Sequence, residues 1–255
     1  MKKRAVFSIV LAALALGAAF VSGDGSLIKK GIVTYADGRV KRKPLDQQIW
    51  HNAPVNTDVL SGDKVRTFRE STAELNLADL DVVRLAPKTT VDIVKLYQES
   101  SEKKAETKIV VESGDVWAQI HEIEEDTEFD ISSGIASAAI TGTTLRLSVS
   151  GDSTTTLRVY KGEVHFTNAP EKTSALKPKS ITPHEIDGPH EVPGPHEVSL
   201  EQWLYIVKSM QQITVDKQGK VLEAAPFSLA DSDSNAVWVR WNMVRDSLRT
   251  GRLQK

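Results

Sequence analysis

The sequence predicts an all-β fold, built as a sandwich, a roll or a stack of strands, over residues 31–168. The first observation is a period-two alternation of apolar and polar residues in "TAELNL" (72–77) and "TTLRLSV" (143–149). The same alternation recurs in "KIVVE", "DVWAQIH", "TEFDI" and "TLRVY". Alternation of this kind is typical of half-buried strands that pack on one face.

The second observation is that turn signals separate these runs, with no long helical pattern between them. Glycine tolerates the positive φ that tight turns need, so such pairs between alternating runs favour hairpins. The pairs are Asp37-Gly38, Gly62-Asp63, Pro87-Lys88, Gly114-Asp115, Gly151-Asp152 and Lys161-Gly162. Three of these glycines precede an acidic residue about 50 residues apart, at Gly62, Gly114 and Gly162. That spacing fits an internal repeat, and it also fits the common placement of glycine before a strand.

The N-terminus has the pattern of a secretory signal peptide over residues 1–23. Three basic residues precede an apolar run over residues 5–21, and small residues follow it. The run is shorter than the roughly 20 apolar residues of a spanning helix. We expect cleavage after Gly23, or earlier after Ala19, and no membrane span after cleavage. The alternative is an uncleaved membrane anchor.

Composition narrows the classes of function. The chain has no cysteine, which excludes disulfides, thiolate metal sites and a cysteine nucleophile. Removal of residues 1–23 would change the formal net charge from −2 to −5, so nothing predicts a nucleic-acid partner. The sequence contains no nucleophile elbow, phosphate-binding glycine loop or zinc-protease motif. We therefore predict a protein that is not an enzyme and has no cofactor.

A proline-rich connector is predicted over residues 169–198. It repeats Pro-His-Glu three times, with His184, His190 and His196 six residues apart. In an extended chain this period separates successive histidines by about 20 Å, too far for one metal ion. We interpret the repeat as a strap that packs on the β domain, with metal binding as the alternative.

The C-terminal region, residues 199–255, is predicted to contain one amphipathic helix, a short strand and a basic tail. Ser199 and Gln202 have the spacing of a capping box, and apolar residues follow at helical spacing in "SLEQWLYIVKSMQQI". We expect a helix of about 14 residues there. The segment "VWVRW" (237–241) has the alternation of a strand.

Four residues are candidates for contact with a partner. In a strand, Trp238 and Arg240 would share one face, where an aromatic ring beside a guanidinium can bind a sugar or a protein. Trp241 and Trp117 are further stacking candidates. The alternative is that Trp241 and the neighbouring valines are core residues, with Arg240 covering an edge.

The order of motifs over residues 31–168 resembles the FecR family of bacterial envelope domains. The pieces that carry the resemblance are "GIVTYADGRV", "VLSGDKVRTFRESTAELNLADLDVVRLAPKTTVDIVKL", "IVVESGDVWAQI", "FDISSGIASAAITGTTLRLSV" and "LRVYKGEVHF". The pieces "GPHEVPGPHEVSLEQW" and "WVRWN" are similar to the tail of exported family members. One departure is Thr141, where the family pattern often has arginine before the Gly-Thr pair.

The resemblance implies a FecR-like β domain and a role in binding. Regulatory members carry a cytoplasmic anti-sigma segment and a membrane helix before this domain, where the present chain has the predicted signal peptide. The resemblance therefore implies the envelope-facing, partner-sensing part alone. We expect a periplasmic or secreted binding or scaffold module, with an envelope protein as partner and involvement in cell-surface signalling. The alternative is a protein that binds cell-wall glycan or peptidoglycan through its tryptophans.

Overall fold

The computed structural model describes residues 26–27, 31–78, 81–99, 104–121, 127–168, 204–231 and 236–253. The first half of the chain forms β1 (Ser26–Leu27), β2 (Gly31–Asp37), β3 (Val40–Lys43), β4 (His51–Asn52), β5 (Asp58–Val59), β6 (Lys64–Thr67), β7 (Thr72–Ala78), β8 (Asp81–Leu85), β9 (Thr90–Glu99) and β10 (Lys104–Gln119). The second half forms β11 (Thr127–Ser132), β12 (Ser137–Ile140), β13 (Thr144–Val149), β14 (Thr155–Lys161), β15 (Glu163–Thr167), β16 (Leu204–Lys208), β17 (Gln211–Val215), β18 (Val221–Pro226) and the helix α1 (Ala236–Leu253).

The strands form two sheets that share β10. Sheet A has the order β4-β3-β6-β9-β10-β11-β12-β15-β16, with β1 also on β9. Sheet B has the order β5-β2-β7-β8-β10-β13-β14-β17-β18. The β10–β11 pair is parallel, and the other pairs are antiparallel. The predicted all-β fold is confirmed.

The long strand β10 changes sheet at Gly114. Its first part pairs with β9 in sheet A as far as Ser113, and Gly114 onwards pairs with β13 in sheet B. The register with β9 shifts between Val111 and Ser113, and Gly114 has a φ of 94°. A bulge with a left-handed glycine bends a strand and increases its twist, which allows one strand to serve both sheets.

The core lies between the sheets and follows the alternation seen in the sequence. In β7 the side chains of Ala73, Leu75 and Leu77 are buried in one apolar cluster. Leu145 and Leu147 of β13 belong to the same cluster. Burial of this kind is the main favourable contribution to the stability of the fold.

The C-terminal region differs from its prediction in two places. The residues expected to form a helix after Ser199 instead form, where the structure describes them, strands β16 and β17, which extend sheets A and B. The residues expected to form a strand at 237–241 belong to α1. One C-terminal helix is therefore present, but it begins at Ala236.

Several predictions concern residues outside the described part of the chain. These are the signal peptide (1–23), the connector (169–198) with His184, His190 and His196, and the capping box at Ser199 and Gln202. Within the described residues, no helix has both the length and the apolar character that crossing a bilayer requires. In that same part of the chain, no group of three or more His, Asp or Glu side chains could hold a metal ion.

Candidate functional site

The outer face of sheet B carries a row of polar and aromatic side chains that lie directly opposite one another. Each of six neighbouring strands contributes one residue to this row. The cross-strand pairs are Tyr35 with Glu74, Glu74 with Arg84, Arg84 with Trp117, Trp117 with Arg146, and Arg146 with Arg158. Side chains alternate between the faces of a strand, so residues next to the core leucines and valines must point outward.

Helix α1 packs on this row, with contacts from Tyr35 at one end of it to Trp117. Trp238, Asn242 and Asp246 are spaced four residues apart, which places them on one face of a helix. Trp238 is 8% exposed and Asn242 is fully buried. The ring of Trp238 belongs to a small apolar cluster with Ala86 and Trp117 on the sheet.

Arg84 is the centre of the contact between the helix and the sheet. Its side chain is only 1% exposed. Its Nε donates to Glu74 Oε2 at 2.7 Å, and its Nη1 donates to Asp246 Oδ1 at 2.6 Å. Since a buried charge without a partner is costly, the two carboxylates are what make burial of this arginine tolerable.

Two further donors tie the same carboxylates to the sheet and to α1. Trp117 Nε1 donates to Asp246 Oδ2 at 2.9 Å. Arg245 Nε donates to Glu74 Oε2 at 3.0 Å. Sheet and helix are therefore joined by charged hydrogen bonds, which are about twice as strong as neutral ones.

The pKa of the Glu74 carboxyl reflects this network. Burial alone would raise it, but hydrogen bonds from Arg245, Arg84 and Thr34 outweigh the burial and lower the pKa to about 2. Glu74 is therefore ionised throughout the neutral and mildly acidic range, and its charge is matched by the two arginines.

The three tryptophan candidates lie at this contact between helix and sheet. Trp117 is fully buried, so neither face of its ring can receive a sugar. Trp238 stacks on Trp241 with ring centroids 5.2 Å apart. Trp241 also lies 5.6 Å from the Tyr35 ring and 4.8 Å from the Arg245 guanidinium. The rings pack α1 against the sheet, as core residues do.

The expectation that Trp238 and Arg240 share one strand face is wrong because both residues are helical. At 3.6 residues per turn, two positions along a helix differ by about 200°. Arg240 is therefore exposed on the flank of α1 that lies away from the Trp238–Trp241 stack.

A groove lies on that flank, between α1, β14 and the loop that follows β18. Its volume is about 580 Å³. The wall formed by the sheet and the loop includes Arg158, Tyr160 and Phe227, while α1 contributes Arg240 and Met243. Of the four candidate residues, Arg240 is the one that lines this groove.

Sequence reasoning missed Glu74, Arg84, Asn242 and Asp246. The signal for α1 was present as Trp238, Asn242 and Asp246 at intervals of four, but two of these positions are polar. A helix face with polar residues at two of three positions is not recognised as buried from the sequence alone, because its partners lie on distant strands of the sheet.

Each sheet ends in an exposed strand at the same side of the fold. Strand β18 is the edge of sheet B, and it pairs only with β17 among the described residues. Most of its side chains are exposed, and Leu222 is 57% exposed. Strand β16 is the corresponding edge of sheet A, where Ile206 is 51% exposed.

These features define a class of protein: a two-sheet β module with a C-terminal helix docked on one sheet and open strand edges. Residues 63–165, from the start of β6 into β15, match the family model described as FecR protein. This part of the chain is a FecR domain, and the resemblance is confirmed. The match covers the middle of the sandwich, which continues on both sides of it.

Two solved structures are similar to the chain. Both are crystal structures of a protein from Parabacteroides distasonis ATCC 8503 described as a "putative anti-sigma factor", at 1.65 Å and 2.50 Å. Each is 14% identical to this chain, with TM-scores of 0.44 and 0.43. The match covers 65% of this chain and 60% of the other, so the chain spans less than two thirds of that protein. No curated protein matches the chain.

Proposed function

We propose that this protein is a non-enzymatic binding module of the bacterial envelope, which senses or holds a protein partner through the open edge of sheet B. The FecR domain supports a role in signalling or sensing. The signal peptide predicted at residues 1–23 supports a position in the periplasm or outside the cell.

The exposed edge strand β18 is the observation that carries this proposal. An edge strand presents backbone N–H and C=O groups that an extended segment of another protein can pair with. Among the described residues, no strand or helix pairs with the outer side of β18. Leu222 adds an exposed apolar contact on the same strand.

Site-specific crosslinking in the producing cells tests the proposal. A photoreactive phenylalanine analogue is placed in the full chain at position 222, and at position 45 as the control. Leu45 is 75% exposed and lies between β3 and β4, far along the chain from the proposed edge. We expect a discrete protein adduct from position 222 and none from position 45.

Two results would contradict the proposal. Equal adducts from both positions would indicate random collision rather than an interface. Adducts of heterogeneous mass that a cell-wall hydrolase removes would show glycan in place of a protein partner.

A Leu222→Lys variant adds a discriminating measurement, since a charge on an edge strand opposes pairing. It should reduce co-purification of the crosslinked protein while leaving the unfolding midpoint unchanged.

A further inference from the structure

The groove beside α1 has a wall that is fixed by its own hydrogen bonds. In the loop after β18, Asp231 Oδ2 accepts from the Ser228 backbone N–H at 2.6 Å. The Ser228 hydroxyl in turn accepts from the Ala230 N–H at 3.1 Å. These bonds hold the loop in a local turn at the side of the groove.

The interior of the groove is aromatic and aliphatic. Tyr160 and Phe227 meet edge to face, with ring centroids 5.2 Å apart. Val239 and Met243 of α1 form the opposite side. The volume of about 580 Å³ lies within the range of sites that bind small organic molecules.

Three charged side chains line the groove, the cations Arg158 and Arg240 and the anion Asp231. Arg158 uses its Nε to donate to Gln212 at 2.7 Å, and its guanidinium lies 5.8 Å from the Phe227 ring. Arg240 is exposed and makes no hydrogen bond or ion pair with any described residue. The one carboxylate in the groove, Asp231, is engaged by its own loop. An apolar interior with two guanidinium groups matches an apolar molecule that carries a negative charge.

We infer that this groove is a binding site for a small amphipathic anion, with the apolar body against Tyr160, Phe227 and Met243 and the anionic group at Arg240 and Arg158. The site is separate from the strand edge proposed for the protein partner. It gives the module a way to respond to a small molecule. The competing occupants are a peptide and a second copy of the chain.

Two fluorescent probes that differ by one group test the inference on the purified full chain. Anilinonaphthalene sulfonate has an aromatic body and an anionic group, and phenylnaphthylamine has the same body without the charge. We expect saturable binding of the sulfonate at one site and weaker binding of the neutral probe. Arg240→Gln should weaken binding of the sulfonate about fivefold to tenfold and leave the neutral probe unchanged.

Matched variants separate the groove from other apolar surface, including the N-terminal run. Ala230→Phe adds a ring at a groove-lining position of the loop, and it should weaken both probes at least tenfold. Ala224→Phe places the same ring on exposed β18, and Arg69→Gln removes an exposed charge elsewhere. Both controls should bind like the parent chain. If Ala230→Phe and Arg240→Gln also bind like the parent chain, the probes lie elsewhere and the inference is wrong.

Discussion

The guanidinium of Arg84 in strand β8 donates to the carboxylate of Asp246 in helix α1 at 2.6 Å, across 162 positions of sequence. Neither side chain is more than 13% exposed. This ion pair connects the FecR domain to the C-terminal helix, at the place where α1 packs on sheet B. The stability of the module and the placement of α1 therefore depend on the same few charges.

Loss of Arg84 should destabilise the fold strongly. Arg84→Met keeps much of the side-chain volume but leaves Glu74 and Asp246 without their shared partner. Removal of one member of a buried ion pair costs about 3–5 kcal/mol, because the remaining charge stays buried. Urea unfolding at pH 7 measures the change. Arg69→Met, at an exposed position, is the control and should change stability by less than about 0.5 kcal/mol. A cost below about 1 kcal/mol for Arg84→Met would show that the network contributes little.

Protonation of Glu74 should lower the stability of the fold in acid. The folded-state pKa of Glu74 is about 2, below its ordinary value of 4.5. The unfolded chain therefore takes up the proton first as the pH falls. The stabilisation from Glu74 is complete above pH 4.5 and is lost as the pH falls towards 2.

The test compares the parent chain with Glu74→Gln by urea unfolding at several pH values. The stability difference between the two should be largest at neutral pH and should shrink as the pH is lowered below 4.5. Glu70→Gln, at an exposed position, should follow the parent chain throughout. A difference that does not vary with pH would contradict the assigned protonation behaviour.

Trp117 and Trp238 should respond differently to the same substitution. Trp117 Nε1 donates to Asp246, while Trp238 Nε1 is buried with no hydrogen-bond partner among the described residues. Replacement by phenylalanine removes a similar ring volume at both sites, so the two variants differ mainly in whether the lost N–H group had a hydrogen-bond partner. A hydrogen bond to a charged group contributes about 1.5–3 kcal/mol. Chemical unfolding should show a larger loss in the free energy of unfolding for Trp117→Phe than for Trp238→Phe, by about that amount. Equal losses would count against the role of the Trp117–Asp246 bond.

The strands of the sandwich could be predicted because their apolar period is local. Leu75 and Leu77, or Leu145 and Leu147, lie two residues apart and share the buried face, so no knowledge of the partner strand was needed. The incorrect prediction of a helix after Ser199 has a different origin. Around residue 210 the apolar spacing fits a helix, but the turn at Met210, with a φ of 60°, divides the segment into two strands of different sheets.

Helix α1 was missed because its buried face is partly polar. The β-branched and aromatic residues at its start have high strand propensity. From the sequence alone, Asn242 and Asp246 would be expected to face solvent. In the fold Asn242 is buried and Asp246 is only partly exposed, because both bond to side chains of distant strands. A long-range polar interface leaves no apolar period in the sequence, so the candidate site depends on pairings that only the folded chain provides.

Gly114, where β10 changes sheet, should not tolerate a side chain. Its φ of 94° lies in the left-handed region, and an added Cβ would lie 2.6 Å from the Thr89 Cα. Thr89 is fully buried and its hydroxyl is bonded to the Asp115 carbonyl, so the neighbouring backbone cannot easily move. Strain of this kind costs about 1–3 kcal/mol before any steric clash is added. Gly114→Ala should therefore lower the free energy of unfolding by at least 2 kcal/mol.

Gly151→Ala is the matched control, since an added Cβ there meets nothing within 4 Å, and it should change stability by less than about 1 kcal/mol. Equal effects at the two glycines would mean that the bend in β10 does not require Gly114.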